Sequence, residues 1–468
     1  METRRAPEKA PAATAYDADT PQALVDFMST GWTDAAITVA HIPHADQYRR
    51  RRDALSSAYP GEYLVVPSGT ERVRANDTTF RFRTASDFAY LAGPGEPDGM
   101  LVLEPRESGG HASLLFVLPH NRGKAEFFTD RVHGELWVGR HRGVDESQIY
   151  YGVDACRPST EIETYLDDLR IRGAKVRHAD EDAEFATHVS EMRLIKDSVE
   201  IAELRTCVQI TKRAFEDVIG IMGAASSERE VEAAFWRRAR MEANDVGYLT
   251  IAACGEHACT LHWTQNHGSV RRGDLLLLDA GVEVESLYTA DVTRTLPVNG
   301  TFSPEQRKVY DLVYEAQKAA FAQVKPGNDF LAPNNAAMRV LTQGLIDLGI
   351  LKCSLEEALD PARMYHKRYT LHGVSHMLGI DVHDCAKARR ENYRYGKLRA
   401  GMVLTVEPGL YFQPDDATVP PALRGIGVRI EDDVAVTEDG HENLSAILPS
   451  AAAEVEAWIA SIATKSSK

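Results

Sequence analysis

The chain reads as an α+β protein, with a small α/β domain followed by a larger one built on a curved antiparallel sheet with helices on its outer face. Three features of its 468 residues lead there. A chain of that length is long for one core, so two or three domains are expected. Strand-length apolar runs fill the first part, and long helical patterns begin only near Glu191. Beyond that point helices form one set and strands another, which is the α+β arrangement.

The spacing predicts a helix over 43–55, with the basic cluster Arg49 to Arg52 as its solvated face. Residues 63–66, 88–91, 100–103 and 113–117 follow as strands, bounded by Gly, Pro and Asp turns. A helix over 159–172 and a strand over 175–178 complete a domain of ordinary size. It has no glycine-rich phosphate loop, no G-x-S-x-G and no clustered ligands, so it reads as a support. Asp197-Ser-Val-Glu200 is a capping box, and Ile201, Leu204, Val208, Phe215 and Val218 behind it keep helical spacing. Ser227 opens a second helix. Ser303-Pro-Glu opens a third, with proline at its first position and Pro326-Gly327 as its stop; a fourth covers 334–348. The domains are 26–190 and 191–460, preceded by a disordered tail over 1–25 rich in Ala, Pro and charge; after 451 a short helix runs into a disordered end.

Composition excludes several classes. A net charge of −16 lacks the basic stripe of a nucleic-acid binder. No apolar run reaches the roughly 18 residues that span a bilayer, and the N-terminus lacks the apolar core of a signal peptide. The six cysteines include no C-x-x-C pair and fit reduced, buried thiols. A cytoplasmic protein is expected.

The densest chemistry lies in Leu371-His-Gly-Val-Ser-His-Met-Leu-Gly-Ile-Asp-Val-His-Asp384. Polar groups in so apolar a setting need partners or a metal. Leu404-Thr-Val-Glu407, Gly425-Ile-Gly-Val-Arg-Ile-Glu431, Leu275-Leu-Leu-Leu-Asp279 and Thr289-Ala-Asp291 each deliver an acid at a strand end. One such acid alone is more often a turn residue. Together Asp279, Asp291, His376, Glu407 and Glu431 offer four carboxylates and one imidazole, too many acids for a catalytic zinc with about three protein ligands. Converging carboxylates repel, and two divalent ions resolve this. Oxygen ligands suit Mn²⁺, Mg²⁺ or Co²⁺, and the reaction class is metal-assisted hydrolysis. His372 and His376 stand four apart as in H-E-x-x-H, but Gly373 replaces the glutamate and weakens a helix, so the zincin reading fails.

These motifs, in the contexts LLLLDAG, TADVTRT, LHGVSHMLGIDVHD, LTVEPGLYF and GIGVRIEDD, resemble the ligand set of the pita-bread metallopeptidases. That group includes methionine aminopeptidase, prolidase and aminopeptidase P, with creatinase as a metal-free relative. Similarity to the aminopeptidase P (Xaa-Pro aminopeptidase) family covers nearly the whole chain, including Arg83-Thr-Ala-Ser-Asp-Phe-Ala-Tyr-Leu-Ala-Gly93, Glu191-Met-Arg-Leu-Ile-Lys196 and Gly255-Glu-His-Ala-Cys-Thr-Leu-His262. The resemblance implies a pita-bread catalytic domain and an exopeptidase that releases the residue before a penultimate proline. It implies two Mn²⁺, with Co²⁺, Zn²⁺ or Mg²⁺ as substitutes, around a bridging hydroxide. Asp279 would chelate one ion, Asp291 and Glu431 bridge both, and His376 and Glu407 hold the other. Glu407 would also act as base, His383 stabilise the oxyanion, and His372 flank the proline pocket. His262, Arg429 and Tyr411 would complete the substrate contacts. A homodimer or homotetramer acting on peptides is implied, and Xaa-Pro dipeptidase or a non-catalytic binding module are the alternatives. Two departures stand out. Eleven residues separate Asp279 from Asp291, one more than in well-known bacterial members, and the extra one is placed in the turn over 285–288. Ala89 stands where members often carry tryptophan.

Overall fold

The computed structural model describes residues 20–33 and 38–466. They fall into two compact units, Met1–Val189 and Ser190–Lys468. Most of the tail expected over 1–25 lies outside the described residues, and Gln22–Met28 is helical. The expected end after the final helix, Ala452–Ser466, also lies outside them.

In the first unit, three antiparallel strands, His111–Val117, Met100–Pro105 and Tyr63–Pro67, form the middle of a five-stranded sheet. Ala155–Pro158 and Val176–His178 add parallel edges. Val65, Val102, Leu114 and Phe116 pack one face against Tyr165 and Leu169 of the helix Ile162–Ile171.

Two expectations fail here, for linked reasons. Residues 88–91 are not a strand but the buried middle of the helix Ser86–Ala92, which Gly93 ends at φ +93°. A short run that is apolar on every side has no period to separate helix from strand. The cluster Arg49 to Arg52 is only half solvated, since Arg51 and Arg52 are buried. Their guanidiniums donate to Tyr90 O at 3.1 Å and Leu91 O at 2.9 Å, the carbonyls left open at the end of that same helix. Ala89 is buried in this helix. A histidine–glutamate group nearby is likewise internally satisfied. His120 Nδ1 lies 2.7 Å from Glu135 and its Nε2 accepts the Gly143 N–H at 3.0 Å, so both ring nitrogens brace the loop around them.

The second unit is antiparallel throughout its small sheets. Val292–Pro297, Leu275–Ala280 and Ile251–Cys254 form one, and Val403–Val406, Asp432–Val436 and His441–Asn443 another. Gly409–Tyr411 pairs with Gly427–Arg429. The helices Ser198–Met222 and Pro304–Phe321 both open on complete capping boxes, Asp197 with Glu200 and Ser303 with Gln306. The helix expected over 334–348 begins slightly earlier, as Ala332–Asp347. Among the described residues, no helix is long and apolar enough to cross a membrane.

Candidate metal centre and active site

Register brings the acids together. Asp279 pairs with Thr293 across the strands Leu275–Ala280 and Val292–Pro297. Paired residues share a face and side chains repeat every second position, so Asp279, Thr293 and Asp291 point the same way. The intervening turn closes with Leu287 N–H donating to Val284 O at 2.8 Å, and Leu287 sits at φ +69°. Gly281 is required beside it, because a Cβ there would overlap the Ala290 carbonyl.

The loop with His376 is not helical but runs along the strand Val403–Val406. Thr405 N–H donates to His376 O, and Glu407 N–H to Val374 O, both at 2.9 Å. Glu431 arrives from the other side, its N–H donating to Thr293 O at 3.0 Å. Ligand atoms of Asp291, His376 and Glu431 lie within 4.8 Å of one another. His376 Nε2 is 3.3 Å from Asp291 and 3.6 Å from Glu407.

These groups carry a strong electrostatic conflict. Burial raises the carboxyls of Asp279 and Glu431 above the usual range, the latter further by the Asp291 charge. Glu407 is pushed up to about 7 by burial, against the pull of His376. Burial would lower His376, but the Asp291 hydrogen bond and the Glu407 charge outweigh it and raise it to about 9. Two divalent cations would remove the conflict, since four buried acids with one imidazole match the charge and hardness of such a pair. The residues present fit a dinuclear site.

The predicted second layer is here too. His262, His372, His383 and Arg429 line one cavity of about 570 Å³ with Asp279, Asp291, His376, Glu407 and Glu431. Arg429 binds Asp279 Oδ2 at 2.5 Å and Tyr411 Oη at 2.9 Å. Tyr411 Oη lies 2.7 Å from His372 Nε2, and His372 Nδ1 lies 2.7 Å from Gly373 O. Burial, and then the Arg429 charge, lower His372 to about 3, so it is neutral at pH 7. Tyr411 does not line the cavity; it stands behind His372 and Arg429 and orients both. His383 faces the cavity with its ring edge-on to His376 at 4.5 Å.

Two contributors were missed from sequence. Thr293 donates to Glu431 Oε2 at 2.6 Å and accepts from Arg429 Nε at 3.1 Å. Its position in the TADVTRT run, two after Asp291, could have suggested it. Tyr248 Oη lies 2.7 Å from Asp279 and 2.5 Å from Asp291, its one proton shared between them, and no local pattern announces it. Tyr248→Phe keeps the ring and removes that proton, so Mn²⁺ affinity is expected to fall roughly tenfold to a hundredfold. Titration of metal-stripped protein against a competing chelator measures this; unchanged affinity would reduce Tyr248 to packing.

Comparison with known proteins agrees with this geometry. Residues 202–438 match the model of metallopeptidase family M24, and 48–177 match the aminopeptidase P N-terminal domain. The chain belongs to metallopeptidase family M24. Within M24 it falls in the aminopeptidase P branch. It is 50% identical over 459 residues to Xaa-Pro aminopeptidase 2 of Streptomyces coelicolor, covering 94% of this chain and 96% of that one. The structure of aminopeptidase P from E. coli with the inhibitor Pro-Leu superposes with a TM-score of 0.82 at 34% identity, over 90% of this chain and 100% of that one. A zinc-substituted form of the E. coli protein with product gives 0.80 at 33% identity, over 90% and 99%. The M24 member described here is thus a pita-bread peptidase with a dinuclear divalent metal site, as its sequence implied.

Proposed function

We propose that this peptidase releases the N-terminal residue from peptides with proline in the second position, using two Mn²⁺. The observation that carries the reading is the convergence of Asp291, His376 and Glu431 beside Asp279 and Glu407 in one cavity. Asp279, Asp291, His376, Glu407 and Glu431 would hold the two ions. Such a pair would supply an activated water nucleophile and a Lewis acid. The remaining work belongs to side chains. Glu407 takes and returns a proton at its carboxylate, the general-base role of a carboxylate positioned beside the reacting centre. Arg429 fixes Asp279 and, through Tyr411, holds neutral His372 beside Glu407. His383 stabilises charge developing on the scissile carbonyl oxygen. His262 with the apolar Leu249, Leu261 and Val382 gives the proline ring a wall that needs no amide N–H. We also take the protein as cytoplasmic and homo-oligomeric; its free thiols and the exposed Leu136, Trp137 and Val138 support that view.

The test is hydrolysis of Ala-Pro and Ala-Pro-Ala by chelator-stripped protein with Mn²⁺ restored. Faster cleavage of the tripeptide at its Ala–Pro bond is expected. Cleavage of the dipeptide alone would make it a dipeptidase, and cleavage of neither would overturn the substrate assignment.

A further inference from the structure

His383 presents a problem of placement. Among the described residues nothing hydrogen-bonds its ring, so the backbone of its loop must aim it. That loop is tightly drawn: Asp384 N–H donates to Met377 O at 2.9 Å, and Cys385 sits at φ +58°, a conformation a non-glycine residue holds only when its surroundings impose it. Between His383 and Cys385 the Asp384 carboxylate is 1% exposed and anchored. It receives Lys196 Nζ at 2.8 Å and Arg193 Nη2, and the same Arg193 nitrogen reaches Asp381 at 2.6 Å. Gly379 has no side chain to offer, and a Cβ there would overlap that carboxylate.

The residues that grip the loop come from far away in sequence, from the run Glu191-Met-Arg-Leu-Ile-Lys196 that opens the second unit. Lys196 has a second attachment. Its N–H donates to Gly401 O at 2.7 Å, and Gly401 leads directly into the strand Val403–Val406 that delivers Glu407. One short segment therefore ties the loop of His383 and the strand of Glu407 to a common point.

Resting on the role given to His383 above, we infer that Lys196 and Arg193 are positioning residues, which hold the His383 imidazole at the scissile bond through the buried Asp384. A misplacement of about 1 Å in a catalytic group costs up to roughly a hundredfold in rate, so the grip has a kinetic signature distinct from a ligand's. Neither cation touches a metal ligand. Lys196→Met keeps the stem and leaves Asp384 paired with Arg193, so a folded protein results.

The experiment is a double-mutant cycle on Ala-Pro-Ala with Mn²⁺-loaded protein, reading kcat, KM, Tm and metal per chain for Lys196→Met, His383→Ala and the pair. The single Lys196 variant should lose roughly ten- to a hundredfold in kcat, with metal content retained and KM within about twofold. In the His383→Ala background it should cost less than about twofold more, because residues acting as a unit are not additive. Arg193→Lys, which keeps the charge on a differently shaped head, should show a smaller loss of the same kind. Additive losses, depleted metal or an unchanged kcat would overturn the inference. If neither Lys196→Met nor Arg193→Lys folds, the two side chains are structural supports and the inference also fails. If His383→Ala alone has native kcat, the role of His383 falls, and the positioning with it; the expected loss of kcat in that single variant together with an additive cycle sinks the positioning only.

Discussion

Glu407→Ala is expected to lower turnover of Ala-Pro-Ala by about 10³-fold or more, and to leave the protein with less metal after dialysis. Two losses coincide at this residue. As the proposed ligand it would supply one of four negative charges that balance two divalent ions, so its removal would leave an excess positive charge in a buried site. As the proposed base it would take the proton of the attacking water, with a pKa that the bound ions set. His372 cannot substitute, because it lies at about 3 and its nitrogens are engaged with Tyr411 and Gly373. Metal analysis by mass spectrometry beside the peptide assay separates the two effects. Near-native turnover with full metal content would remove Glu407 from the site altogether.

The five candidate ligands, which the fold brings to one cavity, were legible because the demand on them is local. Each carboxylate stands at an end of a strand-like apolar run, and the same trace appears four times, at 279, 291, 407 and 431. The helices were legible from their caps, Asp197 and Ser303 above all. What escaped depends on meetings that no periodicity encodes. Tyr248 acts by touching residues 31 and 43 positions away. Arg51 and Arg52 looked like surface charge because a sequence does not say which carbonyls another helix will leave open beside them. The helix at 86–92 was lost to burial on every side. The junction around Arg193 and Lys196 was visible as a motif, yet its chemistry needed the Asp384 contact to become a hypothesis.

Arg294 shows how a residue can be legible in pattern and decisive for stability. On a strand with period two it shares a face with Val292 and Leu296, which points a guanidinium into the core. It is fully buried there. Nε donates to Pro449 O at 2.7 Å, and Nη1 to Thr293 O at 2.9 Å and Glu431 O at 2.6 Å. Nη2 donates to Asp432 Oδ1 and Leu448 O, each at 2.7 Å, so every N–H of the side chain is used. Arg294→Met removes the charge partner of a buried aspartate and the donor to the Glu431, Leu448 and Pro449 carbonyls, while Thr293 O keeps the Glu431 N–H. The expected cost is about 3–5 kcal/mol. At roughly 2–4 °C per kcal/mol, this lowers the Tm of the unit by on the order of 10 °C. Because one of those carbonyls belongs to Glu431, metal retention should weaken at temperatures where the variant is still folded. Calorimetry of native, Arg294→Met and Arg294→Met/Asp432→Leu decides the cause. The double variant should recover much of the loss, since a buried ion pair replaced whole by apolar groups is often close to neutral, whereas half of one is not. A single variant within about 1 kcal/mol of native would mean that Gln317 and Ser445, which also hold Asp432 at 2.8 Å and 2.6 Å, carry that carboxylate without the arginine.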